Sequence, residues 1–312
     1  MHFSTLFAIG AAVSSVAAHP GHHEKLDYKE LTRRSGVSKR CESSAAAMNA
    51  KRWAKHQEKR SLAARSNSTV VITTEAPYYE TLQNDTCVLT PEVTTGPYIW
   101  PRSQTLRQDM TEGQAGVPLY LDIGVLNTET CEPMENVLVD LWHCNATGSY
   151  SSFEGLDPNT PFATLLEEMN ITLSGGGSLD LHTGDTTFLR GMWPTDSNGM
   201  MEMKTAFPGF YVERTIHIHA QVHTNWVVRD NGTIVSDSTI LTGQLFFDED
   251  LSEQIMALEP YASHTQINRT TNSVDSIYAQ EYAGSWNPTM TVVPLDGEDV
   301  TKGMVAYITL GA

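Results

Sequence analysis

The segment from Thr215 to His223 alternates polar and apolar residues with a period of two, and this alternation limits the fold more strictly than any other feature of the chain. In a β-strand, side chains two positions apart point to the same face of the sheet. The polar face carries His217, His219, Gln221 and His223. The opposite face carries Ile216, Ile218, Ala220 and Val222. The segment is therefore predicted to be a strand whose histidines all point the same way.

Beyond residue 67 the chain consists of short runs of β-forming residues separated by turn sequences, such as 196–199 (Asp-Ser-Asn-Gly) and 230–232 (Asp-Asn-Gly). This pattern predicts an all-β fold, an antiparallel β-sandwich with a short helical N-terminal arm. Residues 151–186 lack regular periodicity and have the length of a functional lid or a disordered loop, and Leu251–Leu258 is a candidate helix. The expected strands are Val117–Leu126, Val137–His143, Thr187–Trp193, Met200–Thr205, Arg214–Val222, Thr239–Phe247, Met290–Val293 and Met304–Thr309.

The N-terminal residues differ in composition from the rest of the chain. Residues 1–18 combine a short apolar stretch with small residues before His19, which is typical of a secretory signal peptide cleaved after Ala18. Residues 19–66 are polar and basic, contain dibasic pairs at Arg33-Arg34 and Lys39-Arg40 that could be processing sites, and have helix-forming composition after residue 42. They are predicted to be a partly helical arm or a propeptide, and residues 67–312 to be a single catalytic domain.

Asparagine sequons and cysteines accord with the secretory route and predict an extracellular glycoprotein. The sequons lie at Asn67, Asn84, Asn145, Asn170, Asn231 and Asn268. Four cysteines permit three disulfide pairings, which the sequence does not distinguish. They are Cys41, Cys87, Cys131 and Cys144. We interpret them as disulfide-forming residues and not as metal ligands, because the chain has no Cys-x-x-Cys motif.

The formal net charge of −17 is unevenly distributed. Residues 1–66 carry 12 Lys and Arg against 5 Asp and Glu, which leaves 8 against 32 for residues 67–312. A nucleic-acid partner is excluded on this ground, because phosphate binding requires a basic surface. A membrane partner is not expected either, since the apolar leader is too short to cross a bilayer and no longer apolar stretch follows it.

The pair His217 and His219 is a candidate metal site. On a strand, their Cα atoms would lie about 6.5 to 7 Å apart with both imidazoles pointing to the same side, so both could reach one metal ion. The alternative is two ordinary histidines on a polar sheet face.

Several further motifs occur in a consistent order around this pair. They are Thr95-Gly96-Pro97-Tyr98, the run from Trp142 to Tyr150, Phe188-Leu189-Arg190-Gly191 with Thr195-Asp196, Pro208-Gly209-Phe210-Tyr211 and Gly243-Gln244-Leu245-Phe246-Phe247. Together with the histidines, they resemble the intradiol ring-cleavage dioxygenases, relatives of the catechol and protocatechuate dioxygenases, over roughly residues 85–310.

The resemblance implies a Fe(III) site held by two tyrosinates and two histidines, which correspond to Tyr150, Tyr211, His217 and His219. Phenolate is a hard anionic donor that suits a ferric ion, and imidazole completes a mixed nitrogen and oxygen site. The implied substrates are a small aromatic diol of the catechol type and O₂. The implied product is a muconate-type diacid that contains both oxygen atoms.

The resemblance also implies roles for residues around the metal. Arg214 would stabilise negative charge that develops on the ring, although a surface salt bridge is the alternative. Gln244 would lie near the substrate, with ordinary hydrogen bonding within the sheet as its alternative. Pro97 and Tyr98 would line the pocket. Arg190 and Asp196 are interpreted as residues that brace a hairpin turn and do not touch the substrate.

Two departures from the family pattern restrict what can be transferred. Only residues 212–216 separate the second tyrosine from the first histidine, which predicts a more open pocket suited to substituted catechols. No helical dimerisation domain precedes the sandwich, so a monomer or simple homodimer is expected. Two competing hypotheses remain: a non-catalytic secreted sandwich that binds metal or polyphenols, and a copper monooxygenase in which His19 would be an amino-terminal ligand.

Overall fold

The computed structural model describes residues 28–63, 96–100, 105–171, 180–230, 234–282 and 286–312. This part of the chain contains eight strands: β1 (Pro118–Leu126), β2 (Leu138–Trp142), β3 (Arg190–Pro194), β4 (Met200–Ala206), β5 (His217–Val228), β6 (Ile234–Phe246), β7 (Thr291–Pro294) and β8 (Met304–Gly311). Its α-helices are α1 (Tyr28–Ala63), α2 (Phe162–Glu168), α3 (Glu249–Met256) and α4 (Ser276–Glu281). The protein is therefore β-rich, and each of the eight expected strands is confirmed in position, with shifted ends.

The strands form two four-stranded sheets, with the orders β4-β1-β8-β7 and β3-β2-β5-β6. Most neighbours are antiparallel, but β1 and β8 pair in parallel over Leu119–Leu126. The prediction of a wholly antiparallel arrangement is therefore wrong for this pair. Alternation within a strand does not encode its direction, and β8 reaches β1 only after the chain has passed through the rest of the fold, as a parallel pairing requires.

One hydrophobic core joins the two sheets. It combines apolar side chains of β1, β4 and β8 from the first sheet with those of β2, β5 and β6 from the second. The alternation that begins at Thr215 is confirmed, because Ile216, Ile218, Ala220 and Val222 all lie in this core. The histidines of β5 consequently point away from the core, on the other face of their sheet.

The ends of several elements differ from the sequence-based expectation. Strand β3 begins at Arg190 and not at Thr187, since Leu189 has a positive φ of 56° that breaks extended backbone. Strands β5 and β6 continue beyond the expected segments as a long hairpin, with a bulge between Val222 and His223. The turn at residues 196–199 is confirmed: the Asp196 carboxylate accepts hydrogen bonds from the backbone N–H groups of Asn198 and Met200.

The expected irregular loop at 151–186 contains helix α2, so the prediction is wrong for residues 162–168. Its buried residues Phe162, Leu165 and Leu166 have the i, i+3, i+4 spacing of a helical apolar face. This face packs into an aromatic cluster that also contains Tyr150 and Tyr211. The inserted segment is therefore part of the wall beside the candidate site.

Helix α1 is longer than the arm expected from Glu42 onward, since it begins at Tyr28 and runs for 36 residues. A narrow stripe of this helix is buried against the β-rich body, and it consists of Arg34, Val37, Ser38, Cys41, Ala45, Met48, Asn49 and Arg52. The stripe is too polar to be recognised by apolar periodicity alone. It is held by a disulfide between Cys41 and Cys131 and by a buried ion pair between Arg52 and Asp122, with the Arg52 Nε and Asp122 Oδ1 atoms 2.7 Å apart.

The remaining cysteines are not equivalent. Cys144 is a buried free thiol, and burial raises its pKa to about 12. Cys87 lies outside the described residues, as do the expected leader 1–18, His19, and the sequons at Asn67, Asn84 and Asn231. No helix of the described chain is both long enough and apolar enough to cross a membrane.

Candidate metal centre

Two imidazoles of β5 form one side of the candidate site. His217 and His219 are buried, and their Nε2 atoms are 3.1 Å apart. Two nitrogen ligands that each lie about 2.0–2.1 Å from a single metal ion would be about 3 Å apart. The His-x-His spacing therefore brings two nitrogen donors to one point, as expected from a strand.

The ring of His217 is held in one tautomer. Its Nδ1 atom lies 2.7 Å from the carbonyl oxygen of Thr215, which can only accept a hydrogen bond, so Nδ1 carries the proton. The lone pair of a neutral His217 is then on Nε2, the atom that faces the site. Burial, reinforced by the neighbouring His217, lowers the pKa of His219 well below its usual value, and a neutral imidazole is the form that binds a metal.

The two candidate tyrosines come from separate turns that pack tightly against each other. Tyr150 follows β2, and Tyr211 precedes β5. A Cβ atom on Gly148, whose φ is 87°, would lie 2.3 Å from the backbone oxygen of Phe210. A Cβ atom on Gly209 would lie 2.5 Å from the backbone oxygen of Asn145. Both turns therefore require glycine, and their close contact sets the positions of the two phenols.

Both tyrosine rings lie beside the histidine pair. The Tyr211 hydroxyl lies 3.3 Å from His217 Nε2, and the ring centroids of Tyr150 and Tyr211 are 5.6 Å apart. The Tyr150 ring centroid lies 6.0 Å from that of His219. The Tyr150 hydroxyl is fully buried and has no hydrogen-bond partner among the described residues. An orphaned buried hydroxyl at this point is accounted for if it is a ligand to a metal ion.

The electrostatics of the phenols support the same interpretation. Burial raises the pKa of Tyr150 well above its usual value, and Tyr211 adds to the effect. Burial also raises the pKa of Tyr211, against the opposing influence of Arg214. In protein surroundings alone, both groups therefore hold their protons at neutral pH. A phenolate at either position needs a bound cation beside it.

Aromatic side chains fix the orientation of the donors. Trp142 lies opposite His219 in the β2–β5 ladder and stacks on its ring, with the centroids 4.8 Å apart and the planes 3° from parallel. Tyr98 stacks on Tyr150 at 4.4 Å and meets the Tyr211 ring edge-on at 5.7 Å. The structure thus places Tyr98 directly against both phenols, and its neighbour Pro97 is half-buried beside it.

Arg214 is buried, so the surface salt bridge considered for it is wrong. Its Nε donates to Asp275 Oδ2 at 2.6 Å, and its Nη2 donates to Gln244 Oε1 at 2.5 Å. Gln244 is the direct neighbour of His219 in the β5–β6 ladder, which places it at the edge of the site. The three predicted elements of the site, the metal donors, Arg214 and Gln244, are therefore brought together.

Arg190 and Asp196 have different roles. Asp196 braces the β3–β4 turn as expected. Arg190 is buried and does not brace that turn: it donates from Nε to Ser151 Oγ at 2.8 Å and from Nη2 to the Tyr98 carbonyl at 2.9 Å. The interpretation that Arg190 braces a turn is wrong, because its side chain donates hydrogen bonds to Ser151 and to the backbone of Tyr98, next to the candidate metal donors.

Two residues of this region were not expected from the sequence: Asp275, which directly precedes α4, and Glu281, which is the last residue of α4. The Asp275 side chain caps α4, and Glu281 Oε1 accepts a hydrogen bond from the backbone N–H of Gln244 at 2.9 Å. The N-cap could have been recognised from an aspartate before a helix-forming run. The contact between Asp275 and Arg214 could not have been recognised, since 61 residues separate the two in the chain.

The donor set fits a hard, highly charged metal ion. Within the described residues, no group of three or more His, Cys, Asp and Glu side chains is arranged to hold a metal ion. The centre described above combines two imidazoles with two phenols, and it buries a hydroxyl that lacks a partner. Oxygen and nitrogen donors without thiolates suit iron better than a soft metal.

Comparisons with known proteins identify the family and the fold of the chain. A family model described as dioxygenase matches residues 95–277. The fold is similar to that of an intradiol ring-cleavage dioxygenase from Tetranychus urticae, with 24% identity, a TM-score of 0.55, and coverage of 72% of this chain and 94% of that one. A dioxygenase domain from Streptomyces sp. SirexAA-E has 23% identity and a TM-score of 0.42, with coverage of 72% and 97%.

A comparison with curated proteins gave no match. The family model spans more than half of the chain, and its range includes the four candidate metal donors, Arg214 and Gln244. The hypothesis of a non-catalytic binding protein is therefore set aside. The protein therefore belongs to the dioxygenase family of enzymes.

Proposed function

We propose that the protein is a secreted, Fe(III)-dependent enzyme that opens catechol-type rings between the two hydroxylated carbons and forms muconate-type diacids from the diol and O₂. The observation that carries the proposal is the convergence of four donors. The Nε2 atoms of His217 and His219 are 3.1 Å apart, the Tyr211 hydroxyl is 3.3 Å from His217 Nε2, and the Tyr150 hydroxyl is buried beside them without a partner.

Tyr150, Tyr211, His217 and His219 would hold the iron. Two phenolates would neutralise two of the three positive charges of a ferric ion, which favours that oxidation state over the ferrous one. Bound at these donors, the ferric ion would supply Lewis acidity toward the two oxygens of the diol.

The protein's own groups prepare the site for a diol. Because burial raises the pKa of Tyr211, its Oη holds a proton strongly wherever no cation neutralises the phenolate. This property suits Tyr211 to accept a proton from the incoming diol. The guanidinium of Arg214 places a fixed positive charge next to the centre, where it would stabilise negative charge that develops on the ring.

The surroundings of the centre are largely apolar. Trp142, Tyr98 and Phe153 are buried in one aromatic cluster with the two tyrosine donors, and α2 contributes three more apolar side chains. In a site of low polarity, the electrostatic effect of Arg214 is larger than it would be in water. We propose that Pro97 and Tyr98 line the substrate pocket in this cluster. The short connection at residues 212–216 supports an open pocket that accepts substituted catechols.

The proposed architecture is a β-sandwich in an extracellular glycoprotein. The core shared by both sheets supports the sandwich. The leader-like residues 1–18, the sequons and the disulfide between Cys41 and Cys131 support secretion into an oxidising environment. A monomer or simple homodimer is proposed, since the helix that precedes the sheets, α1, packs on the body of its own chain through the Cys41–Cys131 disulfide and the Arg52–Asp122 pair.

Isotope labelling of the product tests the proposed reaction. Purified protein would be incubated with catechol under ¹⁸O₂, and the product would be analysed by mass spectrometry. We expect a muconate-type diacid with one labelled oxygen in each carboxyl group and no requirement for a reductant. A semialdehyde product, or a quinone with release of hydrogen peroxide, would refute intradiol cleavage. A panel of substituted catechols assayed in the same way would then define the substrate class.

A further inference from the structure

Three buried side chains form a connected row that begins beside His219. Arg214, Asp275 and Gln244 are 2%, 2% and 0% exposed. The Arg214 guanidinium lies between the other two, with Nε donating to Asp275 Oδ2 at 2.6 Å and Nη2 donating to Gln244 Oε1 at 2.5 Å. Asp275 belongs to neither sheet, because it is the residue that precedes α4.

The Asp275 carboxylate is fixed by backbone groups on two sides. Its Oδ2 accepts a hydrogen bond from the backbone N–H of Thr215 at 2.9 Å. Its Oδ1 accepts from the N–H groups of Ile277 and Tyr278 at 2.8 and 3.0 Å, which caps α4. A carboxylate held in this way offers a fixed acceptor to Arg214, and the planar guanidinium must orient to meet it.

The orientation of Arg214 in turn sets that of Gln244. A guanidinium has only donors, so the Gln244 amide must turn its oxygen toward Arg214. The amide nitrogen of Gln244 is then left buried without a hydrogen-bond partner among the described residues. A buried donor without an acceptor is unfavourable by roughly 1–3 kcal/mol. This arrangement leaves an N–H donor available at a residue that neighbours His219 in the sheet.

We propose that Asp275 is a positioning residue for ring cleavage: from the start of α4, its carboxylate holds the Arg214 guanidinium in the orientation that places positive charge and the Gln244 amide donor at the reacting ring. The proposal rests on the function proposed for Arg214. Asp275 acts through Arg214 and does not touch the substrate. The competing explanation is that Asp275 only caps α4 and stabilises the fold.

A double-mutant cycle separates these explanations. Asp275→Asn keeps a side chain that can cap α4 but removes the charge that orients Arg214. Arg214→Gln removes the oriented charge itself. We expect Arg214→Gln to lower kcat about 100-fold, as does loss of an oxyanion donor, and Asp275→Asn to lower it about 10-fold to 100-fold, as do losses of outer partners of a site. KM should change little in both variants, because the lost interaction forms in the transition state.

The double variant provides the decisive comparison. If Asp275 acts through Arg214, then adding Asp275→Asn to Arg214→Gln should leave kcat per bound iron unchanged within about 2-fold. A purely structural role predicts lower thermal stability with wild-type kcat per iron in Asp275→Asn, and that result would overturn the proposal. A further fall in kcat in the double variant would also overturn it. Wild-type kcat in Arg214→Gln would instead refute the function proposed for Arg214.

Controls keep the test decisive. Asp196→Asn changes an exposed carboxylate that also accepts hydrogen bonds from two backbone N–H groups, those of Asn198 and Met200, in the turn after β3, and it should retain wild-type kcat. Iron content measured for each variant separates loss of metal from loss of rate. If Asp275→Asn is recovered unfolded, Asp275→Glu replaces it, since the charge is kept while the acceptor moves by one methylene. A fall in kcat per iron supports the proposal, and wild-type kcat refutes it.

Discussion

At the scale of single residues, the centre depends on groups that are costly to bury unless something neutralises them. Tyr150 and Tyr211 are phenols whose pKa values are raised by burial, and Arg214 is a charged group held by Asp275. A cation at the histidine pair would compensate the phenolates, as Asp275 compensates the guanidinium. The charges that Tyr150, Tyr211 and Arg214 would carry in the proposed reaction are therefore the charges that the interior must neutralise.

Sequence motifs could indicate the four candidate donors that the structure brings together, because each motif is local. His217 and His219 are related by strand periodicity, and Tyr150 and Tyr211 lie in turns whose glycines are visible in the sequence. The partners of Arg214 could not be predicted, because Asp275 meets it through tertiary packing across 61 residues. The burial of Arg214 was missed for the same reason.

The assignment of the histidine donors predicts a difference between two histidines of one strand. His219→Ala should abolish catechol-dependent O₂ uptake and lower the bound iron severalfold, because one of four donors is lost. His223→Ala is the matched control: this residue also lies in β5, but it contacts Thr239 and lies near Asp140, beyond the bulge. It should retain iron. Equal iron content and equal O₂ uptake in the two variants would contradict the assignment.

At the scale of elements, the sheets could be predicted more completely than the helices. Period-two alternation and turn sequences define strands locally, so all eight were expected in the correct order. The parallel pairing of β1 and β8 is a property of chain direction and topology, which alternation does not carry. Helix α1 was underestimated, because its buried stripe includes Arg34, Asn49 and Arg52 and is stabilised by pairing as well as by apolar contact.

Helix α4 carries a buried carboxyl at its end whose ionisation should affect stability. Burial raises the pKa of Glu281 well above its usual value, more than the attraction of Arg214 lowers it. One oxygen accepts a hydrogen bond from the Gln244 backbone, and the other has no partner among the described residues. Because the pKa in the folded state exceeds that in the unfolded state, this group's contribution to stability is full below the unfolded pKa and declines as the pH rises through the folded pKa.

Glu281→Gln should remove this pH dependence, since the amide oxygen can still accept from Gln244 and no charge forms. We expect the free energy of unfolding to rise by about 1–2 kcal/mol at pH 8, the scale of an unpaired buried polar group, and to be nearly unchanged at pH 4. Denaturant unfolding at both pH values would measure this. The exposed Glu298→Gln is the control. A loss of stability at pH 8 would contradict the interpretation.

At the scale of the whole molecule, α1 is an integral part of the fold. The disulfide between Cys41 and Cys131 ties α1 to the segment after β1, and the Arg52–Asp122 pair lies on the side of β1 that faces away from the shared core. Cleavage at the dibasic pair Arg33-Arg34 would break a helix in which Arg34 is buried and lies over the Trp286 ring at 4.5 Å. The arm interpretation is therefore favoured over a removable propeptide for the residues of α1.

The visible absorption spectrum of the purified protein, combined with metal analysis, tests the ferric-tyrosinate centre most directly. The four donors described above predict about one iron per chain and a reddish-brown colour from charge transfer between phenolate and Fe(III). The absorption band should shift when catechol is added, and Tyr150→Phe should weaken it. A colourless protein that contains zinc or copper would contradict the centre.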